Sequence, residues 1–277
     1  MKHNLKDTTF IIPIRIESED RLRNIITVCC YLLETFDTNI IVKEVDDSSV
    51  FMDVAYPQIK EYVGDYIDNL IHIFERKDPN DNVFYRMRYI NEMISLSNTK
   101  VIANYDVDVL LPVETCLASQ SSILEGGADV VYPYGKGMWQ KRIFADDALV
   151  SEFLSNDCDF SILEKKSDND LSDSGHVQFL SREVYVEGGM ENENFRGPAP
   201  EDKERLYRFT TLGYNVVRLN TYVYHLEHSR GANSYPVAYT QNPFMRDNMN
   251  LWDYLSKLSR EELREYYNNQ KYLKKYK

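Results

Sequence analysis

Three short stretches of this 277-residue chain carry side chains whose types and spacing could do chemistry. The first is Asp106-Val107-Asp108, at the end of the apolar run Val101 to Tyr105. That run reads as a buried strand, and residues i and i+2 of an extended segment point the same way. Asp106 and Asp108 can then turn toward one point while Val107 and Val109 enter the core. Carboxylates converging at a strand end suit a hard divalent cation, and α/β sheets bind ligands at the carboxyl ends of their strands. The plainer reading is a strand that meets solvent with two charges. The second stretch is His225-Leu226-Glu227-His228, whose imidazoles at i and i+3 can share a turn face and meet a metal. The third is Glu201-Asp202, opening a helix behind Gly197-Pro198-Ala199-Pro200. The helix dipole favours acids in a first turn whether or not they are catalytic.

Composition narrows what these groups can serve. With 43% hydrophobic and 27% charged residues the chain reads as an ordinary globular protein able to bury a core. A net charge of -12 argues against a nucleic-acid binder, which shows a basic surface. No run approaches a membrane span, and the first residues lack the apolar core of a signal peptide, so a cytoplasmic, reducing setting is expected. Cys29, Cys30, Cys116 and Cys158 form no CxxC pair and read as small hydrophobes or free thiols.

The elements that must position the three stretches alternate. Residues 8–14 read as a buried strand with Pro13 at its exit and Arg15 directly after it. Ser18 caps a helix with apolar residues at helical spacing from Leu22 to Phe36. Residues 39–45 are a second strand ending in Asp46, followed by a helix over 51–62, a strand over 69–74 and a helix over 82–97. This alternation predicts an α/β protein with a parallel sheet of nucleotide-binding style. Beyond Pro112 the pattern predicts a helix to about Leu124, a strand over 129–134 and a mobile loop over 135–139. That loop carries Trp139 and is expected to close over a bound ligand. Residues 157–173 read as a surface loop, residues 216–224 as one strand. One domain over residues 1–247 is expected, with a donor half of about 1–112 and an acceptor half of about 113–247. A helical tail over 248–277 follows. The tail's apolar stripe (Leu251, Trp252, Leu255, Leu258, Leu263, Tyr266, Tyr267) and its basic end (Lys271, Lys274, Lys275, Lys277) fit either docking on the domain or peripheral contact with an anionic membrane.

The order Asp106-Val107-Asp108, then Gly188-Gly189-Met190 through Phe195-x-Gly197-x-x-x-Glu201-Asp202, then His225-x-x-His228-Ser229, resembles the nucleotide-sugar glycosyltransferases of the GT-A fold. It is most similar to the β-1,4-galactosyltransferase family and to the galactosyltransferase-type segment that polypeptide N-acetylgalactosaminyltransferases also carry. The resemblance spans roughly residues 9–230. It implies a Rossmann-like, mixed and mostly parallel sheet flanked by helices, and transfer of a sugar from a UDP-sugar to a saccharide or lipid-linked saccharide hydroxyl with inversion. It further implies Mn²⁺, with Mg²⁺ as second choice, held by Asp108, His228 and His225. Pro13, Arg15, Asp46 and Asp106 would contact the donor, joined by Trp139 from the loop expectation. Asp202 would be the catalytic base, and Glu201 would bind acceptor hydroxyls. The family's Trp-Gly-Trp-Gly-Gly before Glu-Asp is replaced by Phe195-Arg196-Gly197-Pro198-Ala199-Pro200, so the tryptophan that stacks on the acceptor is missing. The competing readings are a retaining transferase or nucleotidyltransferase on a similar sheet, and an inactive nucleotide-sugar-binding module.

Overall fold

The computed structural model describes residues 2–231, Ser234 and residues 236–276, so Lys277 lies outside the described residues. Its first half alternates as the hydrophobic pattern predicts: β1 (His3–Ile14), α1 (Glu19–Thr35), β2 (Phe36–Asp46), α2 (Tyr56–Val63), β3 (Leu70–Arg76), α3 (Arg86–Leu96) and β4 (Val101–Tyr105). Ser18 caps α1 by accepting from the Arg21 amide at 3.4 Å, and Ile25, Val28, Cys29 and Leu32 bury its inner face. Burial pushes the Cys30 thiol up to about 12, which fits cysteines that pack as small hydrophobes.

The second half adds β5 (Val109–Leu110), α4 (Val113–Leu124), β6 (Val130–Tyr132), β7 (Gly137–Ile143), α5 (Asp147–Ser155), α6 (Phe160–Glu164), β8 (Ser167–Ser172) and β9 (Val177–Ser181). Then come α7 (Arg182–Glu187), α8 (Glu201–Leu212), β10 (Val216–Arg218), β11 (Val223–Leu226), α9 (Ala238–Gln241), α10 (Met245–Leu255) and α11 (Arg260–Asn268). Seven strands form one sheet in the order β10-β6-β9-β4-β1-β2-β3. Its pairings are parallel except where β9 runs against β4 and β6. A smaller sheet has the order β5-β11-β7-β8. Because β1, β2 and β4 run parallel, Arg15, Asp46 and Asp106 all emerge at one edge of the large sheet.

Several local expectations are corrected. Asp106 and Asp108 do not lie on an extended strand: β4 ends at Tyr105, and residues 107–108 form a turn into β5, closed by the Val109 amide on the Asp106 carbonyl at 3.3 Å. The Asp-Val-Asp stretch is thus the joint between the two sheets. Residues 135–139 are not a free loop, since Gly137 begins β7. Trp139 lies against the Tyr222 ring with centroids 5.0 Å apart. Residues 157–173 contain α6 and β8. The sequence there lacks visible periodicity because β8 is a polar edge strand paired only with β7. The single strand expected over 216–224 is two strands in different sheets, β10 beside β6 and β11 beside β5 and β7. The tail docks: Leu255, Leu263 and Tyr267 are buried, and the Trp252 ring meets Tyr207 of α8 edge-on at 5.8 Å.

Candidate active site

The turn between β4 and β5 delivers Asp108, and β11 with the residues just beyond it delivers His225 and His228. The Leu226 amide donates to the Asp108 carbonyl at 2.7 Å, which fixes β11 against the turn. His225 Nε2 then lies 3.5 Å from Asp108 Oδ1, and His228 Nε2 lies 2.9 Å from Asp108 Oδ2. One ligand atom from each of the three residues falls within 4.8 Å of the others, and all three are buried. Both imidazoles are held from behind, with His225 Nδ1 3.1 Å from Glu227 Oε1 and His228 Nδ1 2.7 Å from the Ser229 carbonyl. Nδ1–H donation there directs each Nε2 at the shared point, where it can give its proton to Asp108 or, deprotonated, bind a cation, the usual arrangement behind a metal-ligating histidine. Burial alone would raise the Asp108 carboxyl, but the His225 and His228 imidazoles outweigh it and hold it far below the ordinary carboxylate range. A carboxylate with two imidazoles suits Mn²⁺ better than it suits Ca²⁺.

These residues line one side of a cleft of about 760 Å³ that also receives Pro13, Arg15, Asp106, Glu201 and Asp202. Across it, α8 begins at Glu201. The preceding stretch is pinned, not flexible: Asn248 Nδ2 donates to the Arg196 and Ala199 carbonyls at 3.0 Å each, and Asn242 Nδ2 to the Arg196 carbonyl at 3.0 Å. Gly197 has φ +72°, and a Cβ there would come within 2.9 Å of the Asn242 side chain, so glycine lets the chain pass. Asp202 Oδ1 accepts from Arg205 Nη1 at 2.8 Å, leaving Oδ2 toward Gly175, where a Cβ would approach it to 3.3 Å. Glu201 Oε2 is buried with no hydrogen-bond partner among the described residues. Burial, then the neighbouring Asp202, pushes the Glu201 carboxyl up to about 8.

Arg86, at the start of α3, ties the two sides together. It forms an ion pair with Asp106 and sits 3.8 Å from Asp202 and 4.0 Å from Glu201. His176 also faces the cleft, its Nε2 3.0 Å from Gln140 Oε1; burial lowers it to about 4, so its ring is neutral. On the donor side Arg15 donates to the Val45 carbonyl at 3.0 Å and the Asn82 carbonyl at 2.9 Å, and its Nη2 is buried without a hydrogen bond among the described residues. Arg15 separates the cleft from a second cavity of about 400 Å³ that is walled by Val45, Lys77, Asp81, Tyr85 and Tyr89. Asp46 stands at the end of β2 with its carboxylate on the Asp47 amide and does not line the cleft. Trp139 is also outside the cleft, because its face of β7 turns toward Tyr222 while Gln140 turns inward.

No protein-family model and no curated protein matches the sequence. Solved structures do. Mannosyltransferase PcManGT from Pyrobaculum calidifontis, in complex with GDP-Man and Mn²⁺, aligns over 96% of this chain and 69% of its own at a TM-score of 0.55 and 12% identity. The fold is that of the GT-A glycosyltransferases. The catalytic domain of Drosophila beta1,4galactosyltransferase 7, complexed with xylobiose, aligns over 89% of this chain and 80% of its own, at a TM-score of 0.45 and 15% identity.

Within this GT-A fold the structure brings Asp106, Asp108, His225, His228, Glu201, Asp202, Pro13 and Arg15 to one cleft and leaves Asp46 and Trp139 outside it. Sequence reasoning missed Arg86 and Arg205. Each broke a local rule: Arg86 places a cation in a first helical turn, against the dipole, and Arg205 places a charge on the buried face of α8.

Proposed function

We propose that this chain is a metal-dependent, inverting glycosyltransferase that moves a sugar from a nucleoside-diphosphate sugar to a saccharide or lipid-linked saccharide hydroxyl. The observation that carries the reading is one cleft with a buried Asp108–His225–His228 ligand set on one wall and the Glu201–Asp202 pair on the other. Such a cleft meets the two demands of the reaction, since the leaving diphosphate gains charge and the acceptor hydroxyl must lose a proton. Mn²⁺ on Asp108, His225 and His228 would supply the counter-charge for the leaving group. Asp202, with Oδ1 tied to Arg205, uses Oδ2 to take the acceptor proton. Glu201, protonated at neutral pH, can donate a hydrogen bond to an acceptor oxygen. Arg15 and the cavity behind it take the nucleoside, and Asp106 takes the ribose side. UDP is the donor nucleotide that the sequence resemblance favours, and the guanine nucleotide of PcManGT makes GDP the first alternative.

No described helix is long and apolar enough to cross a membrane. We place the reaction in surface polysaccharide or glycolipid synthesis at the cytoplasmic face. Any membrane contact would rest on exposed Lys271, Lys274 and Lys275, because the apolar stripe of the tail packs on the domain. The test of the base is Asp202→Asn, which keeps shape and loses the proton acceptor. Transfer is expected to fall by about two to four orders of magnitude with donor affinity preserved, and Glu201→Gln should cost less, through acceptor KM. Near-normal turnover in Asp202→Asn would end the assignment.

A further inference from the structure

We propose that Arg205 is a positioning residue for Asp202, holding Oδ1 so that Oδ2 faces the acceptor; the inference rests on the reading of Asp202 as the base. Arg205 is fully buried. Its Nε and Nη2 donate to the two oxygens of Glu191 at 2.6 and 2.8 Å, and its Nη1 donates to Gln178 Oε1 at 2.9 Å and Asp202 Oδ1 at 2.8 Å. A guanidinium has five N–H groups in a rigid plane, so satisfying four of them fixes it in every direction.

The frame behind Arg205 is equally constrained. Glu191 also accepts from the Tyr185 hydroxyl, and its backbone is clamped by Asn91 of α3, which donates to the Glu191 carbonyl at 2.9 Å and accepts from its amide at 2.8 Å. Gln178 of β9 accepts from Asn104 of β4 at 3.1 Å and donates to the Ser174 carbonyl at 2.8 Å. The rotamer of Asp202 is therefore referred to the large sheet and to α3, the same elements that set Asp106 and Arg86.

Stability does not explain this arrangement. A buried ion pair seldom gains more than it loses by desolvation, and an apolar side chain at position 205 would pack with Phe209 and Leu212 on the same helix face. Asp202 itself is 29% exposed on its side chain, so without Arg205 it would keep only the longer ion pair to Arg86 at 3.8 Å, which does not fix its rotamer. A misplacement of about 1 Å in a reacting group can cost about 10²-fold in rate.

The test is a kinetic cycle. Arg205→Met is made together with Glu191→Gln, so that no isolated buried charge remains, and Arg205→Lys is made as a second variant that keeps a cation on Glu191. In the otherwise wild-type chain the paired change should lower kcat by about 10–100-fold with donor KM within about twofold, and Arg205→Lys should recover part of the loss. In an Asp202→Asn background both variants should cost less than about twofold, because the group they position can no longer accept a proton. Equal losses in both backgrounds, or wild-type kcat in the first, would overturn the positioning role while leaving Asp202 as base. Wild-type turnover in Asp202→Asn alone would remove the base and the positioning role together.

Discussion

At the scale of single residues the cleft separates two carboxylates that are adjacent in sequence. Glu201 is buried with one oxygen unpartnered among the described residues, whereas Asp202 has one oxygen on a guanidinium and the other toward the cleft. The difference has a consequence for stability. The folded chain keeps the Glu201 proton up to about pH 8, while an unfolded glutamate releases it near its ordinary value of about 4.3. Between these values the folded state binds the extra proton, so this group makes stability fall as pH rises, and its contribution is constant below the lower value. Melting followed from pH 5 to pH 8 should show a downward slope that Glu201→Gln flattens; an unchanged slope in the variant would mean that Glu201 is ionised throughout. Asp108, His225 and His228, which the structure brings together as a candidate metal-binding set, stood out in the sequence because the spacings that mark them are local: Asp106 with Asp108, and His225 with His228. Arg86 did not stand out, since its partner Asp106 lies 20 positions away; Arg205 stands three positions from Asp202, but its anchor Glu191 lies 14 positions away and only the fold brings the two together.

At the scale of elements, the parallel alternation through β4 was readable because β1, β2 and β4 carry continuous buried apolar runs (Phe10 to Ile12, Ile40 to Val42, Val101 to Ala103) and their helices keep helical spacing. The small sheet was not, because β5 has two residues and β8 is the polar sequence Ser-Asp-Asn-Asp-Leu-Ser. Trp139 was misassigned for the same reason: flanking glycines read as a hinge, but the segment finds strand partners in β11 and β8. The tail shows the opposite case, an element whose apolar stripe was plain and whose partner was not. Arg208 on α8 donates to Glu204 at 3.0 Å and to the Met190 carbonyl at 2.6 Å, and Tyr267 of α11 donates to Glu204 in the same buried cluster. The tail thus braces the helix that carries Glu201 and Asp202. Tyr267→Phe removes one of the two donors to the buried Glu204 Oε1 and leaves Arg208 Nε as the other, a loss of about 1–1.5 kcal/mol. A thermal melt should register that as a loss of at least about 2 °C. A melting temperature equal to that of the unmodified chain would show that Arg208 alone satisfies Glu204 and that the brace is dispensable.

At the scale of the whole molecule, two sheets meet at the Asp106–Asp108 turn, and the candidate cleft opens along that joint. The large sheet brings Arg15 and Asp106 to its edge, the small sheet brings His225 toward Asp108, and α8 closes the far wall with Glu201 and Asp202. A module that only bound nucleotide sugars would have use for the first two contributions and none for the third. The most direct measurement is nucleoside-diphosphate release from a panel of UDP- and GDP-sugars, with a panel of saccharide acceptors, in Mn²⁺, in Ca²⁺ and in excess EDTA. His228→Ala is run beside the unmodified chain. The expected result is acceptor-stimulated release from at least one donor that EDTA abolishes, that Mn²⁺ restores more readily than Ca²⁺, and that His228→Ala loses at limiting Mn²⁺. Full release in excess EDTA, or metal-dependent donor binding with no release from any donor, would contradict it.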